Sequence, residues 1–194
     1  MYLETRRLIL RSAEPADAEA YYELWNDPFV LRYNVMEPPS REQAAAAVSR
    51  DAGSDRSLYL QLKSDGRMIG VIDYSEDRLR YGVSSVNMSY SLRKDCAGFG
   101  YMPEACGAAL RYAFEALGFD RVSSRVLSGN DRSVRVLEKL GFVCEGKLRA
   151  AVRGLGGQVF DDILFSISRE EFEGRPTFAS ERIETHKSEG EKDA

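Results

Sequence analysis

The sequence predicts a mixed α/β domain, α+β-like, built around one central and mostly antiparallel sheet. Three observations predict it. First, Leu58-Leu60-Leu62 and Val86-Met88-Tyr90-Leu92 alternate with polar residues, the period of a half-buried strand. Second, Cys106, Ala109, Leu110, Ala113 and Leu117 recur at helical spacing. Third, the elements run strand, two helices, antiparallel strands, strand–helix–strand–helix and a closing hairpin, an order that mixes layers around one sheet.

Each element has a local cause. Leu3–Arg11 alternates around Leu8 and Leu10 and reads as the opening strand. Glu14–Trp25 reads as a helix, with Pro15 in its first turn and Ala18, Tyr21, Tyr22 and Trp25 at helical spacing. Asp27-Pro28-Phe29 reads as a loop. Ser40 with Gln43 forms a capping-box pattern ahead of the Ala44–Ala47 run. Asp65-Gly66 is a hairpin turn, returning the chain as the strand Met68–Tyr74. A helix is expected from Pro103 to Gly118, then a β-branched strand Val122–Leu127. Asn130 caps a short helix that ends at Gly141. Phe142–Val152 and Val159–Ser168 read as the closing strands. After Phe172 only Phe178 and Ile183 are large and apolar, so residues 1–172 are expected to form the domain and 173–194 a charged tail.

Composition removes several kinds of chemistry. The 194 residues are 43% hydrophobic and 30% charged, a profile of a water-soluble domain. With 27 basic and 31 acidic residues the formal net charge is −4, which lacks the basic footprint of a nucleic-acid binder. The single histidine, His186, lies in the polar tail, so no Ser-His-Asp triad, Cys-His dyad or histidine metal site is expected. Cys96, Cys106 and Cys144 form no CxxC pair and are odd in number, which argues against a disulfide framework. No secretion signal or membrane-length apolar run is read, so a reducing cytoplasm is the expected home and neither nucleic acid nor membrane an expected partner.

The most informative stretch runs from Leu92 to Glu104: a strand, then Gly98-Phe99-Gly100-Tyr101-Met102, then a helix. Glycines let backbone N–H groups approach a ligand, and a helix start adds unpaired donors and a positive dipole end, which suits a diphosphate. Pro103 stands where a dinucleotide fingerprint needs its third glycine, and no Gly-Lys-Ser/Thr follows, so neither an NAD nor an ATP loop is read.

Gly98-Phe99-Gly100-Tyr101-Met102-Pro103-Glu104-Ala105 resembles the "WGKGYATEA" segment of the GCN5-related N-acetyltransferases (GNAT), in particular their RimJ/RimL-like ribosomal-protein N-terminal acetyltransferase branch. Asn130 and Ser133 through Leu140-Gly141-Phe142 resemble its "N-x-x-S-x-x-x-x-x-x-LGF" stretch; Glu145-Gly146, Asp162 through Ser166, and the opening Leu3–Arg11 resemble further signatures. The resemblance spans residues 1–172 in register. It implies a GNAT fold, with flanking helices and two splayed parallel central strands, Val86–Leu92 and Val122–Leu127, that hold the cosubstrate acetyl-CoA. The pantetheine would pair near Tyr90, Ser91 and Leu92. The diphosphate would rest on Gly98, Phe99, Gly100, Tyr101 and Met102. Asn130 and Ser133 would face the pantetheine and sulfur, and Arg132, Arg135 or Lys139 the adenosine phosphates. The implied reaction is acetyl transfer to a primary amine of a protein N-terminus, an antibiotic or a small metabolite. The resemblance also allows a homodimer.

Amine acetylation requires a neutral nitrogen, since unperturbed amines titrate near ~10 and thiols near ~8.5. A base must take a proton from the acceptor, and no covalent enzyme intermediate is needed. Four residues depart from the family pattern. Asp95 and Ala97 stand where the loop usually carries Gln or Arg and Trp. Leu137 replaces a frequent Tyr acid, and Asn87 a frequent Glu. The resembled branch has the Ser of N-x-x-S as its proposed acid, which makes Ser133 the candidate here, with Glu104 and Asp73 as replacement bases; helix capping and helix electrostatics are the structural alternatives for Ser133 and Glu104. Trp25, Phe29, Tyr33, Asp27 and Glu37 are candidates for the acceptor side. The alternative function is a catalytically weak or inactive CoA-binding sensor, motivated by Asn87 and Leu137.

Overall fold

A computed structural model describes residues 1–175, so most of the expected tail, 176–194, lies outside the described residues. The opening segment is a tight hairpin rather than one strand: β1 (Tyr2–Glu4) pairs antiparallel with β2 (Leu8–Arg11). Thr5 closes the turn, its N–H donating to Leu8 O and its Oγ1 accepting from Leu8 N–H. Polar Thr5-Arg6-Arg7 breaks the alternation there. A 3-10 turn at Pro15–Asp17 leads into α1 (Ala18–Asn26). The expected loop at Pro28 is a one-turn helix, α2 (Pro28–Leu31), because Asp27 Oδ1 accepts from Phe29 N–H and Pro28 starts the helix well. The capping box of Ser40 and Gln43 opens α3 (Arg41–Asp51) as expected.

Next come β3 (Ser57–Leu62), β4 (Met68–Glu76) and β5 (Ser85–Leu92). Helix α4 (Tyr101–Arg111) opens two residues before the expected Pro103, because Gly100 takes a left-handed φ of 79° and serves as N-cap. It runs into a π turn at Tyr112–Ala116, and the Tyr74 hydroxyl donates to Ala109 O just before that change of register. β6 (Arg121–Leu127), α5 (Asp131–Leu140), β7 (Val143–Arg153) and β8 (Val159–Ser168) follow. Another helix, α6 (Arg169–Glu173), lies across the expected domain edge at 172, where buried Phe172 packs against Phe114 at a ring distance of 5.4 Å.

The eight strands order β1-β2-β3-β4-β5-β6-β8-β7. Every neighbouring pair is antiparallel except β5 and β6. Those two pair only at Ser85↔Arg121, Val86↔Val122 and Asn87↔Ser123, then part. The expected fold class is therefore met, including the splay. The larger core joins one face of the sheet to α4 and α5 through Val86, Met88, Val122, Cys106, Ala109, Leu110, Leu137 and Leu140. The small residues Ala105, Cys106, Ala108 and Ala109 let α4 sit close to the strands. A second core on the opposite face joins Tyr59, Met68 and Val71 to Leu24 of α1 and Val48 of α3. Among the described residues, no helix is long and apolar enough to cross a membrane.

Candidate functional site

The site begins where β5 and β6 separate. Antiparallel pairing turns the backbone of alternate residues toward one neighbour and then the other. Arg93 N–H donates to Ile69 O, and Ser91 O faces Gly70, so the backbone groups of Ser91 are spent on β4. Those of Tyr90 and Leu92 therefore turn toward β6, which has already diverged beyond Asn87. The gap presents unpaired donors and acceptors to any extended, amide-bearing arm that enters it.

Past Leu92 the chain makes a 3-10 turn, Lys94–Cys96, and enters the glycine loop. Gly98 and Gly100 both take positive φ, 89° and 79°. The N–H groups of Gly98, Phe99, Gly100, Tyr101 and Met102 donate to no acceptor among the described residues; pairing resumes at Glu104, whose N–H reaches Gly100 O at 3.4 Å. Five consecutive free donors at a helix N-terminus, with open space over the Gly98 Cα, suit a diphosphate. Arg7 from the β1–β2 turn braces this loop: its Nη1 donates to Phe99 O at 2.8 Å, and its guanidinium lies 4.5 Å from the Tyr101 ring centre. Asp95 is held by Arg67 at 3.2 Å and Arg93 at 3.3 Å.

Opposite the loop, α5 begins beside the same gap. Asn130 Oδ1 accepts from Ser133 N–H at 3.3 Å, so the N-cap role is filled. Ser133 Oγ lies 2.7 Å from Tyr90 Oη, and the Tyr90 hydroxyl also donates to Ser133 O at 3.2 Å. Either hydroxyl can donate in the short contact; when the phenol donates to Oγ, the Ser133 proton is left for a ligand in the gap. Burial pushes the Tyr90 phenol well up from its ordinary range, and it stays protonated. Leu137, where a tyrosine acid would stand, is wholly buried in the core.

The other face of the sheet carries Asn87, Ser89 and Asp73. Asn87 Nδ2 donates to Ser75 Oγ at 3.2 Å, while its Oδ1 is buried without a partner among the described residues. Asp73 pairs in register with Ser57 and Ser89. Desolvation pushes its carboxyl up from 3.8 to about 6, Ser57 opposes the shift, and the Asp51 charge adds to it. Over this face lies the α1–α2 limb. Tyr33 Oη donates to Gly129 O at 2.6 Å and its ring stands 6.1 Å from Phe160, while Arg132 lies 5.0 Å from the Phe29 ring. Trp25 Nε1 is buried with no partner, and Asp27 is occupied in capping α2.

Glu104 is employed elsewhere. Its Oε1 accepts from Thr5 Oγ1 at 2.7 Å and Arg7 N–H at 2.8 Å, and its Oε2 from Arg7 Nε at 2.6 Å. These bonds hold its carboxyl below the usual range despite desolvation, and it fastens the β1–β2 turn to α4. The structure thus brings Tyr90, Leu92, Asn130, Ser133 and the loop to one gap, and sets Asp73 on the opposite face. Sequence reading missed the Tyr90 hydroxyl, Arg7 and the Tyr33 strap, since each depends on a partner 43 to 97 residues away. The cysteines do not join the site: Cys96 and Cys106 are buried, Cys144 is exposed, and no metal-binding cluster occurs among the described residues.

A family profile described as "Acetyltransferase (GNAT) domain" matches residues 7–143. The SPbeta prophage-derived uncharacterized N-acetyltransferase YokL of Bacillus subtilis (strain 168) is 29% identical over 174 residues, covering 89% of this chain and 96% of that protein. The crystal structure of the acetyltransferase (GNAT family) from Bacillus anthracis matches with a TM-score of 0.79 at 24% identity, covering 88% of this chain and 100% of that one. Mycobacterium smegmatis RimJ in complex with CoA-disulfide matches with a TM-score of 0.72 at 21% identity, covering 88% and 87%. At these identities the two structures speak to the fold.

Proposed function

The chain belongs to the GNAT acetyltransferase family, and from that premise we propose that it moves the acetyl group of acetyl-CoA to a primary amine by direct attack in a ternary complex. The observation that carries this reading is the row of five unpaired N–H groups from Gly98 to Met102 beside the β5–β6 gap. Bound acetyl-CoA supplies an activated thioester. Tyr90 and Leu92 offer their backbone groups to the pantetheine, and the Gly98–Met102 amides take the diphosphate. Arg132, Arg135 or Lys139 on α5 stand ready for the adenosine phosphates.

Ser133 is the hydrogen-bond donor toward the departing sulfur, its Oγ held at 2.7 Å by accepting from the Tyr90 phenol. A thiol that titrates near ~8.5 leaves as thiolate without full protonation, so a hydrogen bond suffices there. The acceptor amine approaches from the Asn87–Asp73 face. Asp73, ionised above about pH 6, takes its proton directly or through water. Asn87 Oδ1 accepts a hydrogen bond from the amine and helps to orient it. Holding both reactants in one gap supplies much of the rate.

The test is turnover of acetyl-CoA with a panel of N-terminal peptides, aminoglycosides and polyamines, followed by thiol release and mass spectrometry of products. Ser133→Ala is expected to lower kcat about tenfold or more while CoA affinity changes less than threefold. Tight CoA binding with no thiol release across the panel would favour the sensor reading. Absence of CoA binding, or a coenzyme soak that leaves the Gly98–Met102 loop vacant, would remove both.

A further inference from the structure

We propose that Arg7, on the turn between β1 and β2, is a ligand of the cofactor diphosphate rather than only a brace of the loop. The inference rests on the proposed CoA site and adds a residue far from it in sequence. Three contacts pin the guanidinium. Nε donates to Glu104 Oε2 at 2.6 Å, Nη1 donates to Phe99 O at 2.8 Å, and the plane lies over the Tyr101 ring. Nη2 has no acceptor among the described residues. It stands 3.4 Å from where a Gly100 Cβ would be, at the loop that carries the free amides.

The charges around the loop favour this nitrogen. A diphosphate brings negative charge, and the free amides are neutral dipoles. Arg67 and Arg93 are paired to Asp95. Arg93 also reaches Glu23 at 2.8 Å, so both are partly neutralised. Arg7 is the cation hydrogen-bonded to the loop's own backbone. Its partner Glu104 is shared with Thr5 Oγ1 and Arg7 N–H, which spreads the carboxylate charge over three donors. The Arg7 side chain is about one-third exposed, enough for Nη2 to meet a ligand and too little for the side chain to swing freely. A guanidinium held on two edges and open on the third is preorganised for one phosphate oxygen.

The test is binding rather than turnover. CoA, dephospho-CoA and pantetheine are titrated into the wild-type protein and Arg7→Gln, by calorimetry for the first two and by NMR shifts for the third. A charge-assisted bond of ordinary strength predicts a Kd about ten- to hundredfold higher for CoA and equally for dephospho-CoA, with pantetheine unchanged. The salt dependence of CoA binding should also become shallower. An equal loss for pantetheine would assign Arg7 a purely structural role. A loss confined to CoA would move the contact to the 3′-phosphate, and no loss would remove it; either overturns the proposal. If wild-type protein binds none of the three, the proposed function fails instead. Should Arg7→Gln not fold, a crystal of wild-type protein soaked in CoA decides: Nη2 within hydrogen-bond distance of a diphosphate oxygen supports the assignment, and Nη2 turned away refutes it.

Discussion

Replacing Asp73 by asparagine should make this protein more stable and less active. The carboxyl titrates at about 6 in the fold against 3.8 for an unperturbed aspartate, because it sits in β4 beneath the α1–α3 layer with the Asp51 charge nearby. Well below pH 3.8 it is protonated in both folded and unfolded chains and has no effect. Between pH 4 and 6 the unfolded chain ionises while the folded one holds its proton, so stability falls as pH rises. Above pH 6 the full penalty applies, two pKa units or roughly 3 kcal/mol at about 1.4 kcal/mol per unit. An asparagine at this position keeps the shape and the bond to Ser57 but never ionises. Urea denaturation of both proteins should show Asp73→Asn more stable by about 2–3 kcal/mol at pH 7.5 and by less than about 1 kcal/mol at pH 4. If Asp73 is the base, kcat at pH 7.5 should also fall about a hundredfold. A variant no more stable than wild type at pH 7.5, or equally more stable at both pH values, would refute the electrostatic reasoning. Unchanged kcat would take the base role from Asp73.

Three further outcomes follow from particular contacts. Tyr90→Phe removes the phenol that holds Ser133 Oγ in place and should lower kcat about three- to tenfold with KM for acetyl-CoA unchanged; steady-state kinetics with kcat intact would detach Tyr90 from the reaction. Gly100→Val forces a β-branched residue to φ 79° and sets its Cβ against Arg7, so calorimetry should show CoA binding weakened at least tenfold, and equal affinity would contradict the loop assignment. Asp17→Ala strands the buried Arg11 guanidinium, now bonded at 2.7 and 2.8 Å, and should cost about 3–5 kcal/mol in urea unfolding; a loss below about 1 kcal/mol would mean that water satisfies Arg11.

Local patterns in the chain carried most of the fold. The alternation at Leu58-Leu60-Leu62 and the capping box at Ser40 depend on neighbours a few residues apart, and both elements form where read, although β3 is buried on both faces rather than one because Tyr59 enters the second core. The glycine loop was legible for the same reason, since turn chemistry is local. What sequence left open depends on distant groups. The break at Thr5-Arg6-Arg7 looks like a continuing strand until Glu104 is known to grip both Thr5 and Arg7. The start of α4 looks like Pro103 until Gly100 is seen in a left-handed conformation, which releases Tyr101 and Met102 as donors. Glu104 read as a candidate base because a carboxylate near a loop has two uses, and only its three donors separate them.

The same logic bears on Asn87 and Leu137, which lack the proton carriers common at these places. A hydroxyl at Leu137 would sit wholly buried in the larger hydrophobic core, so this chain has closed that route by packing. The route through Ser133 does not need it, because Ser133 stands at the first turn of the same helix, bonded to a phenol that burial keeps protonated. Asn87 cannot take a proton, yet its buried Oδ1 has no partner, and leaving such an atom unsatisfied costs about 1–3 kcal/mol. A raised carboxylate pKa at Asp73 is a second cost on the same face of the sheet. Ser57 offsets the second only in part and no described residue bonds to Oδ1, whereas an incoming ammonium group meets both needs: it donates to Oδ1 and favours the ionised carboxylate. The two costs on that face are thus what a site for an amine would carry before its substrate arrives.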